Sequence, residues 1–304
     1  MAISPCASRA DPRGRELVSH GTALFPAACY HDDLLQTPVP WHWHTELEAG
    51  VVTEGGAVIA AGAERFTLEP GQGFFITSGV LHTALARGEA ECRLHSAVFH
   101  PRLVGGSTDS IFWQNYIQPL IEDETRQCLL FDGSAPWHRE MCSAIETAWR
   151  SCAEEPPGYD HQVRGALSRA AFLLSCNRSA AAKPPAEKAL RDESRVKQML
   201  QFIQSHYADE LSAAAIAGSA LISESECLRC FHSTIGTSPI QYLREFRVQK
   251  AAELLAGTRL STAEVGARCG FSDASYFTKT FRLLRGCTPS EYRRTREGEA
   301  GCAL

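Results

Sequence analysis

The chain contains no run of eighteen apolar residues, so no segment reads as a membrane-spanning helix. Its first residues, Met1 to Pro12, lack an apolar signal core, and the expected location is the cytoplasm. It has no overall basic charge: the net value is -5, which argues against a uniformly basic nucleic-acid binder. It also lacks a disulfide framework, because its 12 cysteines are scattered through 304 residues. The close pair Cys227 and Cys230 has no second pair or histidine at zinc spacing and falls inside a helical pattern, so it reads as packing. No glycine-rich phosphate loop, nucleophile elbow or His-Glu-x-x-His helix occurs, which leaves those enzyme classes without support.

What is present is an asymmetry. Residues 1–189 carry 15 Lys and Arg against 22 Asp and Glu, whereas residues 190–304 carry 15 against 13. The basic excess concentrates at Lys279, Arg282, Arg285, Arg293, Arg294 and Arg296, with Glu291 as the only acid among them, and this stretch is the phosphate candidate.

From about Ala23 to His100, short apolar runs alternate with turns at Glu54-Gly55-Gly56, Ala61-Gly62-Ala63-Glu64, Glu69-Pro70-Gly71-Gln72-Gly73 and Arg87-Gly88-Glu89. That pattern predicts an antiparallel barrel or sandwich. Met141, Ile145, Ala148 or Trp149, and Cys152 then recur at helical spacing, as do Val163, Leu167, Ala170 or Ala171, and Leu174. These stripes either cover the barrel or form a dimer seam. Residues 177–194 have no apolar period and hold a proline pair, so they read as a linker. The expected division is 1–176, a linker at 177–194, a helical domain at 195–296 and a tail at 297–304.

The helical domain contains a repeat. Leu211 and Ile216 correspond to Leu260 and Val265, Ser223 to Ser272, Phe231 to Phe281, Gly236 to Gly286, Ser238-Pro239 to Thr288-Pro289, and Tyr242 to Tyr292. The offset changes from 49 to 50 residues, so one copy has an insertion. Each copy reads as a short helix, a tight turn and a second helix starting on the serine, with a long helix over about Pro239 to Leu255 between the copies. In the second copy Tyr276 or Phe277 is buried with Phe281, leaving Ala274, Ser275, Thr278 and Lys279 outward. In the first copy Ser225, Leu228 and Arg229 face out, and Arg229 suits a guanine edge. Arg282, Arg285 and Arg293 suit phosphate.

Residues 195–294 resemble the tandem helix-turn-helix domain of AraC/XylS-type regulators, on Gly270-Phe271-Ser272-Asp273, Ser275-Tyr276-Phe277, Phe281, Gly286, Thr288-Pro289 and Tyr292-Arg293. The resemblance implies that each copy places its second helix in the major groove of one duplex. Leu221 and Cys227 depart from the family's more usual residues, and Glu224 and Glu226 put negative charge near phosphate. The first reader is therefore expected to bind more weakly or more selectively.

In the N-terminal half, two-residue alternation puts His42, His44 and Glu48 on one face of a strand. Their spacing to Gly55 resembles the first cupin motif, and Gly71, Thr77, Gly79 and His82 resemble the second, with Thr77 in place of the usual proline. The resemblance implies a small barrel around a pocket, in which three histidines and one glutamate can hold a divalent metal. The same groups can instead bind a small polar effector.

The fold class expected is α+β: a cupin-like antiparallel barrel with following helices, then an all-α domain of two helix-turn-helix motifs joined by a long helix. The reading is a regulator, not an enzyme, whose partners are double-stranded operator DNA and a small-molecule effector. RNA polymerase and a second copy of the chain are the further candidates, and no membrane is involved. The competing reading is a cupin metalloprotein, sensor or enzyme, with a DNA-binding appendage.

Overall fold

The computed structural model describes residues 20–62, 64–123, 125–177 and 186–301, with side chains described as far as Thr295. They divide into two units, one ending at Glu193 and the other beginning at Ser194.

The first unit is built on nine antiparallel strands: β1 (Ala27–Asp33), β2 (Val39–His42), β3 (Leu47–Glu54), β4 (Ala57–Ala61), β5 (Glu64–Leu68), β6 (Gly73–Ile76), β7 (His82–Ala86), β8 (Arg93–Phe99) and β9 (Cys128–Phe131). Five form a sheet in the order β1-β8-β3-β6-β9, and four form a second in the order β2-β7-β4-β5. Each turn expected from glycine or proline falls between strands or directly after one, and Gly55, Gly62, Gly71 and Gly88 take the positive φ that only glycine adopts without strain. Between β8 and β9 lie α1 (Arg102–Gly105), a π-helical turn (Trp113–Ile117) and α2 (Gln118–Ile121), and α3 (Pro136–Glu154) and α4 (Tyr159–Cys176) follow.

Strand β3 is buried on both faces from Leu47 to Val52 because both are covered. Leu47, Ala49 and Val51 join a core with Met141, Ile145, Ala148 and Cys152 of α3 and Val163, Leu167, Ala170, Ala171 and Leu174 of α4. Val52, Phe74, Ile76 and Leu94 meet Val39, Ile59, Leu68 and Ala84 of the four-stranded sheet in a second core. The two helical stripes therefore cover the five-stranded sheet, and the dimer-seam alternative for them falls away. Burial of Ile145, Leu167 and Leu174 contributes about 1.5–3 kcal/mol each.

The segment expected as linker, 177–194, is helical from Glu187 onward. Residues 178–185 lie outside the described residues, and α5 (Glu187–His206) takes up the remainder from Glu187 onward. Glu193 is buried within the first unit and accepts the Leu81 N–H at 3.1 Å. Polar helix formers after the proline pair give no apolar period, so this helix start carries no periodic signal in the sequence.

The second unit continues with α6 (Ala213–Ser219), α7 (Glu224–Thr234), α8 (Pro239–Gly257), α9 (Thr262–Arg268), α10 (Ala274–Arg285) and α11 (Pro289–Gly301). Helix α11 runs through the first part of the expected tail. Side-chain oxygens cap α6 at Ser212, α7 at Ser223, α8 at Ser238 and α9 at Ser261, where Glu264 completes a capping box. The cap of α10 is Asp273 rather than the expected Ser272. The turns agree at an offset of 49, since Ile222 N–H bonds Ala217 O as Phe271 N–H bonds Gly266 O, while the caps Ser223 and Asp273 agree at 50. Ser272 is thus the inserted residue.

Helix α8 serves both copies. Its first half buries Tyr242, Leu243 and Phe246, and its second half buries Val248, Ala251 and Leu255 against Val265, Phe277 and Phe281. The aromatic pair Phe231 and Tyr242 recurs as Phe281 and Tyr292, with ring centroids 6.2 and 5.6 Å apart. Arg247 in mid-helix donates to the Tyr207 and Asp209 carbonyls at 2.6 and 2.7 Å. A Cβ on Gly270, at φ +79°, would stand 2.7 Å from the same Tyr207 oxygen. The turn of the second copy is thereby locked to the end of α5. Among the described residues no helix is long and apolar enough to cross a membrane.

Candidate functional site

Two sites emerge. In the first unit His42, His44, Glu48 and His82 converge, one ligand atom of each lying within 4.8 Å of the others, and all four are buried. His42, His44 and Glu48 do not share one strand as expected. Strand β2 ends at His42, His44 sits in the bend before β3, and Glu48 belongs to the other sheet. Register supplies the rest, because His42 stands opposite His82 across β2 and β7. The bend is fixed by Gly79 N–H to His44 O at 2.8 Å and Ser78 Oγ to Thr45 O at 2.8 Å. Thr77, standing where a proline is usual, uses its hydroxyl to donate to Leu120 O at 3.1 Å.

The ring nitrogens carry a chemical implication. Each Nδ1 faces a backbone carbonyl: Pro40 at 2.9 Å from His42, Glu46 at 3.2 Å from His44, and Val80 at 2.8 Å from His82. A carbonyl only accepts, so Nδ1 carries the proton and a neutral ring turns the Nε2 lone pair inward. His44 and His82 nonetheless present Nε2 to one Glu48 oxygen at 3.1 and 2.9 Å. Lone pairs facing a carboxylate require a shared positive charge, either a proton on Nε2 or a cation. Burial pushes the Glu48 carboxyl up, but the hydrogen bonds and charges of His44 and His82 outweigh it and hold the group well below the usual range. Three imidazole nitrogens and one carboxylate, each ring fixed by a carbonyl behind it, fit a first-row divalent metal.

His20 extends this pocket and was missed in the sequence. Its ring lies edge-on to His44 at 5.1 Å, and its Nδ1 meets the Tyr30 hydroxyl at 2.7 Å. It precedes the first strand and belongs to no spacing motif, so only folding reveals it.

The second site is the pair of outward helix faces in the second unit. On α10, Phe277 and Phe281 are buried while Ala274, Ser275, Thr278 and Lys279 are exposed, as the pattern predicts. The open choice between Tyr276 and Phe277 resolves to Phe277, because Tyr276 remains 49% exposed and joins the outward face. On α7, Ser225 and Leu228 are exposed. Arg229 is half-buried and engaged, donating to Glu226 at 3.1 Å. Cys227 and Cys230 are buried in the same helix, and burial pushes the Cys227 thiol up to about 11, as for a packing residue.

Of the basic residues, Arg282 is exposed and Arg285 half-buried. Arg293, expected to face phosphate, is half-buried and has its guanidinium engaged within the fold. Its guanidinium donates to the Leu255 carbonyl at 3.3 Å and the Leu260 carbonyl at 2.6 Å, tying α11 to the end of α8. A guanidinium near carbonyls left open at a helix C-terminus finds partners inside the fold. The Arg296 side chain lies outside the described residues.

Comparison with known proteins agrees with this arrangement. Residues 25–170 match the model of the AraC-like ligand binding domain, and residues 216–295 match a helix-turn-helix domain. The chain is 26% identical over 287 residues to the uncharacterized HTH-type transcriptional regulator YdeC of Bacillus subtilis, covering 93% of this chain and 97% of that one. It is 27% identical over 253 residues to the arabinose operon regulatory protein of Salmonella typhimurium, covering 82% and 81%. It is 23% identical over 287 residues to the transcriptional activator RhaS of Escherichia coli O81, covering 92% and 98%. These relatives are regulators, so the metalloprotein alternative is not favoured. With a ligand-binding barrel in its first half and paired helix-turn-helix units in its second, the chain belongs to the AraC/XylS family of DNA-binding transcription regulators.

Proposed function

We propose that the protein reads operator DNA with the outward faces of α7 and α10 and answers a small polar effector held at His42, His44, Glu48 and His82. The observation that carries the DNA assignment is the α10 face, where small and donor-bearing side chains lie outward over a buried aromatic row. Ser225, Leu228 and Arg229 on α7 and Ala274, Ser275, Thr278 and Lys279 on α10 meet base edges; Arg282 and Arg285 meet phosphate. No catalytic step is required. The effector acts through its different affinity for DNA-competent and incompetent states. RNA polymerase and a second copy of the chain are the protein partners of this reading, and the cytoplasm is where it operates.

A divalent metal suits the same pocket, held by the Nε2 atoms of the three histidines and by Glu48. When bound it would supply a Lewis-acidic anchor for an oxygen of the effector. The chain's own groups fix the rings through Pro40, Glu46 and Val80, and they exclude water by burial.

The DNA assignment is tested with full-length protein on the consensus duplex selected from a randomised library and on a scrambled duplex. Arg229→Ala is expected to weaken consensus binding by about tenfold to a hundredfold, the scale of one lost bidentate base contact, and to leave scrambled binding nearly unchanged. Equal losses on both duplexes would assign Arg229 to phosphate.

A further inference from the structure

Arg229 does not stand alone on α7. Its Nη2 donates to Glu226 Oε1 at 3.1 Å, and the same oxygen accepts Nη1 of Arg195 at 2.7 Å. One carboxylate oxygen serves two guanidinium groups. Arg229 first, and then Arg195, hold the Glu226 carboxyl below its usual range, so it is ionised at neutral pH. The side chains stay partly in water, with 39% of Glu226, 39% of Arg229 and 25% of Arg195 exposed. Ion pairs this exposed add little to stability.

Among the described residues the second reader has no such device. Fifty residues on from Glu226 stands Tyr276, and Lys279 takes the place of Arg229. The first turn of α10 holds no acid, whereas that of α7 holds Glu224 and Glu226.

We propose that Glu226 is a specificity-determining residue of the first reader: it positions the Arg229 guanidinium for a guanine edge and withholds its charge from phosphate. The proposal rests on the reading of α7 as a base-reading helix. Glu226 lies one turn toward the N-terminus of α7, the end that enters the groove when such helices dock. An arginine already held there loses less rotamer freedom when it meets its base. On a wrong sequence no base contact forms, and the carboxylate faces phosphates with nothing to offset the repulsion. Affinity then falls everywhere, but least at the right site, and discrimination rises. The two readers thereby divide the work, with α10 supplying general affinity and α7 supplying selectivity.

The test uses full-length wild type, Glu226→Gln, Arg229→Ala, the double variant and Lys279→Ala on the selected consensus and scrambled duplexes across a salt series. Glutamine is isosteric and keeps an oxygen for both arginines, and circular dichroism with thermal melting checks the fold. Glu226→Gln is expected to raise scrambled binding about tenfold and consensus binding by no more than about threefold, since one repulsive charge is removed. Its salt slope should steepen by about one unit as Arg229 gains a phosphate. In the Arg229→Ala background the change in discrimination should vanish, because the effect acts through that side chain. If Glu226→Gln leaves discrimination and slope unchanged while Arg229→Ala lowers consensus binding, the proposal fails and the reading of α7 stands. If neither variant changes binding while Lys279→Ala abolishes it, the reading of α7 fails and the proposal falls with it.

Discussion

Leu221 occupies the left-handed region at φ +55° in the turn of the first reader, where the second has Gly270. The side chain is 93% exposed, so it gains no packing in return for that backbone. Leu221→Gly removes the Cβ strain at the expense of a more flexible unfolded chain, and should stabilise the protein by about 0.5–1 kcal/mol in urea denaturation. A destabilised variant would show that Leu221 makes a contact the fold depends on. Arg293 and Arg282 form a second residue-scale contrast. Because Arg293 spends its guanidinium on Leu255 and Leu260 carbonyls, Arg293→Ala should cost about 1.5–3 kcal/mol of stability and leave the salt slope of DNA binding unchanged. Exposed Arg282 should behave the other way, with Arg282→Ala lowering the slope by about one unit at unaltered stability. Matching slopes for the two variants would return Arg293 to the phosphate set. Arginine composition alone could not separate them, since a basic run looks the same whether its partners are phosphates or carbonyls.

Elements were legible in the sequence where periodicity or turn chemistry was strong. Glycine turns marked the strand ends, and the repeat located both readers, because a one-turn spacing of apolar residues survives in any copy that must bury the same face. Boundaries set by single hydrogen bonds were less visible. Ser272 and Asp273 are adjacent cap-type residues, and only the bond from Tyr276 N–H to the Asp273 carboxylate at 2.6 Å identifies the helix start. Asp273→Ala should therefore cost about 1 kcal/mol and, on the proposed reading of α10, weaken DNA binding by fraying its N-terminal end, while Ser272→Ala should leave stability nearly unchanged. The reverse ranking by thermal melting would put the cap back on Ser272. His44 shows the same limit in a strand setting. Two-residue alternation assigned it the correct neighbours for the wrong reason, because the pocket is assembled across two sheets and a bend rather than along one strand.

At the scale of the whole molecule, two units with separate cores should melt in separate transitions. A divalent ion such as nickel or zinc, at a hundred times its dissociation constant, should add about 2.7 kcal/mol to the barrel unit and raise its melting transition, with the helical unit's transition unmoved. His82→Ala should abolish the shift, and an equal shift in that variant would place the ion elsewhere. Sequence by itself determined the two-part plan, the barrel-then-helices order, the tandem readers and the four pocket residues, since each is written in local periodicity, turn residues or fixed spacing. Only the tertiary structure decided that the α3 and α4 stripes cover the five-stranded sheet, that His20 joins the pocket, that Arg293 binds the Leu255 and Leu260 carbonyls and that Arg195 meets Glu226 beside Arg229. Those outcomes depend on which surfaces and polar groups meet after the chain folds back on itself, and contacts between distant residues leave no period in a single sequence to be read.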